Sequence, residues 1–285
     1  MAANFWESSH AKQWLFDRES LQKTHHEDLK ILTPRELYKL DIFYNKVILS
    51  IGRRLNLRQQ VLATALVYFK RFYTRNNYKD IDGCLVAITS VYLACKIEEC
   101  PLNISKCLEL GKQALEVDPG LLVNYSVQTV AEFEYYLLED LNFHTIVFHP
   151  YRPLTQFYTD LKLESQVLQT GWGMVNDTYR SNLSLMYPPF MIALTIVYLT
   201  TLFIGDEALR LHVKDWFCNL NVDMLEIAVI TQEIIDMYEV ATSYVDKEIP
   251  PLLKRLNPEL ISPPLLAAMP ETATPLATNT PDPRS

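Results

Sequence analysis

The side chains that could do chemistry in this chain do not assemble into a catalytic set. Cys95, Cys100 and Cys107 lie close together in sequence, and thiolates are natural zinc ligands. Structural zinc sites draw their ligands in tight pairs, yet no C-x-x-C is present, and the histidines nearest in sequence are His26 and His144. No metal site is expected. His25-His26-Glu27 puts two imidazoles beside a carboxylate, but neighbours on a helix point in different directions. A solvated loop is the expectation there. The chain has no Walker loop, no G-x-G-x-x-G, no G-x-S-x-G and no H-E-x-x-H. Neither an enzymatic site nor a cofactor cradle is therefore expected.

Two charges remain. Val127, Val130, Glu134, Leu137, Leu138 and Leu141 fall on one helical stripe, which sets the Glu134 carboxylate where its helix packs. A carboxylate buried alone is costly, so Glu134 needs a donor. Lys96 ends another helical pattern, where a cation is favoured by the helix dipole. Two readings stay open. Lys96 snorkels while Glu134 pairs internally, or the two present a binding surface to a partner.

The elements that position these charges occur twice. Val86 to Lys96 (VAITSVYLACK) returns 106 positions later as Ile192 to Leu202 (IALTIVYLTTL). Gln60-Val61-Leu62, Thr64 and Tyr73 meet Gln166-Val167-Leu168, Thr170 and Tyr179 at the same offset. A period of that length means a duplicated domain rather than a solenoid. Lys96 becomes Leu202 in the second copy. Helices are expected over 34–55, with Thr33-Pro34-Arg35-Glu36 as its start, and over 58–75, 82–99, 105–114 and 126–141. Val117 to Gly120 reads as a turn, and 149–153 as the joint between copies. The second copy repeats the scheme over 151–161, 164–183, 188–203, 207–218 and 222–244. Trp6, His10 and Trp14 form one stripe of a short N-terminal helix. The expected architecture is all-α: an N-terminal helix and lead-in over 1–32, five-helix domains over 33–146 and 147–246, and a tail from 247 to 285. Nine of 16 prolines lie in that tail, so it is expected to be disordered.

Bulk properties narrow the function. A net charge of −8 argues against a dedicated nucleic-acid binder, which needs a basic face. Five scattered cysteines fit reduced intracellular thiols, and no signal peptide is read at the start. The longest apolar run, 190–204, is too short to span a bilayer, so no membrane association is expected.

Lys96 in LACKIEE and Glu134 in EYYLLEDLNF resemble the lysine and glutamate of the first cyclin box. The strings NFWESSHAKQW, LRQQVLATALVYFKRFY, HPYRPL, VNDTYR and YPPFMIAL are similar to the cyclin branch that serves the Mediator kinase module, and the resemblance runs over about residues 1–245. It implies two tandem cyclin boxes and a non-catalytic regulatory subunit. The implied partner is the cyclin-dependent kinase of that module, met by Lys96, Glu134, Leu93, Ile97, Glu98, Glu99, Leu138 and Phe143. Trp6, Trp172, Asn176, Asp177 and Tyr238 resemble a groove between the boxes offered to Mediator subunit 12, and subunit 13 is a further implied neighbour. Location in the nucleus and phosphorylation of the RNA polymerase II tail and of transcription factors are implied in the same way. One departure stands out: Leu40-Asp41-Ile42-Phe43-Tyr44 replaces the Met-Arg-Ala-Ile-Leu substrate-docking patch of cell-cycle cyclins. A general transcription factor IIB-like protein shares the fold, but it needs basic faces and an N-terminal zinc ribbon, whereas no cysteine precedes Cys84. A retinoblastoma-like pocket protein is a second relative by fold alone. Ser262, Thr274 and Thr280 each precede a proline and are candidate phosphorylation sites.

Overall fold

The computed structural model describes residues 4–115 and 125–256, all of them helices and connections with no strand among them. After a 3-10 turn at Phe5–Glu7 come α1 (Ser9–Gln13) and α2 (Arg18–Thr24). The first copy comprises α3 (Pro34–Arg54), α4 (Gln59–Phe72), α5 (Gly83–Ile97), α6 (Ile104–Leu115) and α7 (Val127–Asp140). The second comprises α8 (Tyr151–Asp160), α9 (Ser165–Thr178), the single turn α10 (Leu183–Met186), α11 (Pro189–Ile204), α12 (Glu207–Cys218) and α13 (Met224–Thr242). A last helix, α14, spans Ile249–Leu256.

Local chemistry sets these boundaries. Thr33 and Glu36 close a reciprocal capping box over the start of α3, with Pro34 in its first turn. Asp82, Asp206 and Asp223 accept backbone N–H bonds that begin α5, α12 and α13. Within the first copy α4 and α5 lie at the centre: every residue of α4 from Val61 to Phe72 is buried, as are 11 positions of α5. Gly83 lets α5 approach α3, because a Cβ there would meet the Tyr44 ring.

The duplication is visible in the backbone. Adding 106 to α4 gives 165–178, the span of α9, and adding it to α5 gives 189–203, which is α11 less one residue. Left-handed residues recur at the same offset: Asn56 (φ 52°) with Lys162 (φ 53°), and Glu99 (φ 52°) with Gly205 (φ 76°). The copies differ in how deeply they bury the shared helices. In α9 only Gly171, Val175 and Thr178 are buried.

Four expectations need correction. The Trp6/His10/Trp14 stripe is not one helix. Ser8 takes extended backbone and caps α1 through Ala11 N–H, so the chain breaks there, leaving His10 and Trp14 buried and Trp6 exposed. The His25-His26-Glu27 loop is solvated only at His26 and Glu27. His25 stacks on Tyr78 at 5.8 Å and bonds the fully buried Asp28 at 3.3 Å. The helix expected over 164–183 ends at Thr178, where the Thr178 hydroxyl donates to Val175 O and the Ser181 hydroxyl to Thr178 O, competing with the helical ladder. The tail begins with structure: Ile249, Leu252 and Leu256 are buried, and α14 lies against α3. Its two prolines sit in the first turn, where the missing N–H costs little. Arg255 pairs with Glu36 at 2.7 Å, Lys46 with Asp246 at 3.0 Å, and Lys39 with Glu248. Residues 257–285, with Ser262, Thr274 and Thr280, lie outside the described residues, as does the turn expected at Val117 to Gly120.

Candidate functional site

α5 and α7 pack side by side, and this brings together the two charges singled out by periodicity. Lys96 Nζ donates to Glu134 Oε1 at 2.6 Å. Glu134 is 8% exposed, held among Val130, Leu137 and Leu141, while the Lys96 side chain is 48% exposed. The bond to Glu134 raises the Lys96 pKa, so the ammonium is secure at neutral pH. Lys96 also lies 5.2 Å from the centre of the Tyr92 ring. Glu134 has the donor it required, and half of the cation still faces solvent.

Of the apolar residues expected around the pair, Ile97 (38% exposed) and Phe143 (69%) are on the surface, and Leu138 is half-buried. Leu93 is buried in the core, so it supports the surface from beneath. Asn142 and Phe143 are both left-handed, at φ 50° and 57°, which turns the chain sharply after α7. Tyr135, Tyr136 and Ile146 add exposed apolar area that the sequence reading missed. Their signal was negative: two tyrosines off the packed stripe of an amphipathic helix have nothing of their own chain to cover them.

The two glutamates after Lys96 have different fates. Glu98 turns inward to α4, accepting from the Thr64 hydroxyl at 2.6 Å and from Gln60 Nε2 at 2.9 Å, while Arg58 donates to its carbonyl at 3.1 Å. Glu99 is exposed on left-handed backbone. Glycine occupies the equivalent position in the second copy, so the first keeps a charged side chain at a conformational cost of about 1 kcal/mol.

The expected inter-copy residues divide into two directions. Asn176 accepts from Tyr151 OH at 2.8 Å and so faces the joint, with Trp172 against the Tyr151 ring at 4.6 Å. Asp177 faces α13, accepting from Tyr238 OH at 3.0 Å and pairing with Arg180 at 3.0 Å. Trp6 packs edge-on against Phe190 at 5.8 Å, at the start of α11. The joint beneath is polar. Arg71 is fully buried, donates to His144 O at 3.1 Å and lies 4.9 Å from the Trp14 ring; burial lowers its pKa to about 9. His10 and His149 are both pushed down to about 3, by desolvation first and by the nearby Arg71 cation next, so both imidazoles are neutral. His149 stands in the joint at 149–153 with no signal of its own in the sequence, and its ring contacts Thr64 and Tyr179, two positions that stand on the 106-residue repeat.

Among the described residues no group of histidine, cysteine and carboxylate side chains is arranged to hold a metal ion, and no helix is long and apolar enough to cross a membrane. A half-exposed cation held by a buried carboxylate, with exposed aromatic and aliphatic side chains on the same helix and the turn after it, has the composition of a protein-docking surface.

Comparison with known proteins agrees. A family model described as the cyclin N-terminal domain matches residues 18–146. Cyclin-C of Drosophila melanogaster is 39% identical over 262 residues, covering 90% of this chain and 97% of the relative. Cyclin-C of Rattus norvegicus is 43% identical over 244 residues, covering 84% of each. By fold, a chain of the yeast TFIIK (Kin28/Ccl1/Tfb3) complex aligns with TM-score 0.63 at 24% identity, covering 82% of this chain and 99% of that one. A chain of the Chaetomium thermophilum CAK complex aligns with TM-score 0.61 at 19% identity, covering 88% of this chain and 82% of its own.

Proposed function

This chain belongs to the cyclin family, in its cyclin C branch, and from that premise we propose that it is the regulatory subunit of a cyclin-dependent kinase in the Mediator kinase module. It has no catalysis of its own. The surface at the C-terminal end of α5 docks on the kinase beside its regulatory helix and presses that helix inward. Inward movement closes the kinase's own lysine–glutamate pair, which positions the ATP phosphates. Activation is then a population shift, driven by tighter binding to the active arrangement. The phosphorylated substrates are the repetitive tail of RNA polymerase II and transcription factors, and the protein works in the nucleus. Trp6, Trp172, Asn176, Asp177 and Tyr238 serve Mediator subunit 12, with subunit 13 as a further neighbour. The boxes run over 33–146 and 147–246.

The observation that carries this reading is the half-exposed Lys96 held by the buried Glu134, on a helix end whose duplicate has lost the cation. Retention of Glu99 where the duplicate uses glycine supports the same surface. The test is affinity purification of the intact protein from nuclear extract, followed by a kinase assay on a polymerase-tail peptide. A co-purifying kinase whose recovery and activity are lost in a Lys96→Ala/Glu134→Ala variant supports the activator. Recovery of promoter DNA or polymerase without a kinase moves the chain to the general-factor branch of the fold.

A further inference from the structure

Four side chains from four parts of the chain line up across the joint. His149, in the connection before α8, lies between Tyr179 after α9 and Thr64 on α4, and Thr64 reaches Glu98 at the end of α5. The Tyr179 hydroxyl lies 2.7 Å from His149 Nδ1, His149 Nε2 lies 2.9 Å from Thr64 Oγ1, and Thr64 Oγ1 lies 2.6 Å from Glu98 Oε1. Thr64 is completely buried and Tyr179 nearly so.

The proton inventory gives this chain one direction. A carboxylate only accepts, so the single Thr64 proton goes to Glu98. The Thr64 oxygen must then accept from the imidazole, which sets the proton of His149 on Nε2. A neutral ring with its proton on Nε2 has an acceptor at Nδ1, so Tyr179 donates there. Every bond points toward Glu98; the last is charge-assisted, and it polarises the two neutral bonds before it. The low pKa of His149 agrees with the neutral ring this requires. The far end adjoins the inter-copy residues, since Tyr179 stacks on Tyr151 at 6.3 Å and Tyr151 bonds Asn176.

We propose that His149 is a positioning residue: as the Nε2–H tautomer it links Tyr179 to Thr64 and thereby holds Glu98 and the end of α5 in the geometry that Lys96 needs for docking. The second copy's counterpart of Thr64 is Thr170, whose hydroxyl bonds Gln166 O within its own helix, and the counterpart of Glu98 is Ile204. The relay therefore serves the first copy alone. Its link to docking rests on the proposed kinase-binding role, whereas its existence does not.

The test has two arms on the full chain. Nitrogen-15 NMR of the histidine rings reports the tautomer without any partner. The Nε2–H form is expected for His149, and His149→Phe is expected to shift the backbone amides of residues 97–100 and the Gln60 side-chain amide, with His149→Gln restoring them through its own N–H donor. The second arm measures the dissociation constant for the partner kinase. His149→Phe and Thr64→Val are each expected to weaken binding about tenfold, and the double variant no more than either alone, as members of one hydrogen-bond network. An Nδ1–H ring, or unmoved resonances at 97–100 in His149→Phe, overturns the relay. Wild-type protein that binds no kinase overturns the functional reading, and the relay is then decided by the NMR arm. Kinase binding that is unchanged in His149→Phe despite shifted resonances overturns the positioning role.

Discussion

At the end of α5 the first copy carries Lys96, Ile97 and Glu98, and at the end of α11 the second carries Leu202, Phe203 and Ile204. The backbone is the same, down to a left-handed residue one position later. In the first copy the charges are tied down, Lys96 to Glu134 on α7 and Glu98 to Thr64 and Gln60 on α4. In the second, Leu202, Phe203 and Ile204 are exposed by 41%, 75% and 40%, and Arg210 donates to the Leu202 carbonyl at 3.4 Å. Duplication preserved the scaffold while the surface chemistry diverged. At this helix end the cation belongs to the first copy, and the second is left with apolar surface.

The copies also differ in depth of burial, and this gives the largest expected effect. Leu62 and Leu168 are the same residue at equivalent positions, but Leu62 is 4% exposed and Leu168 is half-buried. Leu62→Ala should cost about 2–5 kcal/mol of folding stability and Leu168→Ala less than half as much, measured by urea denaturation. Equal losses would mean that both copies share one core of uniform depth.

The polar joint between the copies should respond to pH. His10 and His149 titrate near 3 in the folded protein against 6.5 for a free side chain. The unfolded chain binds protons that the folded chain refuses, so stability is complete above pH 6.5 and falls as pH drops from 6.5 toward 3. By pH 5 the loss should be about 2 kcal/mol for each histidine. Unfolding midpoints from pH 7.5 to 5 check this, and His149→Gln should remove one histidine's share of the slope.

At the surface, Lys96→Ala or Glu134→Ala should weaken kinase binding by about 1–3 kcal/mol, as loss of one member of a partly buried pair does. Leu202→Ala, at the duplicate position, should leave it unchanged, and calorimetry on all three sharpens the contrast. The smallest effect separates binding from folding. Glu99→Gly relieves left-handed strain and installs the second copy's residue, so stability should rise by up to about 1 kcal/mol while kinase affinity falls. A variant that gained stability with full affinity would leave Glu99 without a docking role.

The helical scheme was legible because the apolar periodicity was strong and appeared twice. The starts of α3 and α5, and α12 in full, fall within a residue of the ranges read from sequence. Lys96 and Glu134 were legible as a cation and a buried carboxylate, but nothing in the spacing showed that they meet; the packing of α5 on α7 decides that. The helix α14 was hidden by composition, because a proline-rich segment masked the Ile249/Leu252/Leu256 stripe. The N-terminal break was hidden by a single serine whose hydroxyl caps the next turn. His149 was not legible as a functional residue at all. Its partners lie 85 and 30 residues away, and only the folded joint brings them to one ring.

The most direct test of the account installs the second copy's residue in the first. Lys96→Leu keeps the helix end and its apolar surroundings and removes only the cation, as the duplication did at Leu202. Its dissociation constant for the partner kinase should rise by at least tenfold over wild type, with the circular dichroism spectrum retained and the unfolding midpoint lowered, because Glu134 is left buried without its donor. Wild-type affinity in that variant would contradict the claim that the Lys96–Glu134 end of α5 is the docking surface.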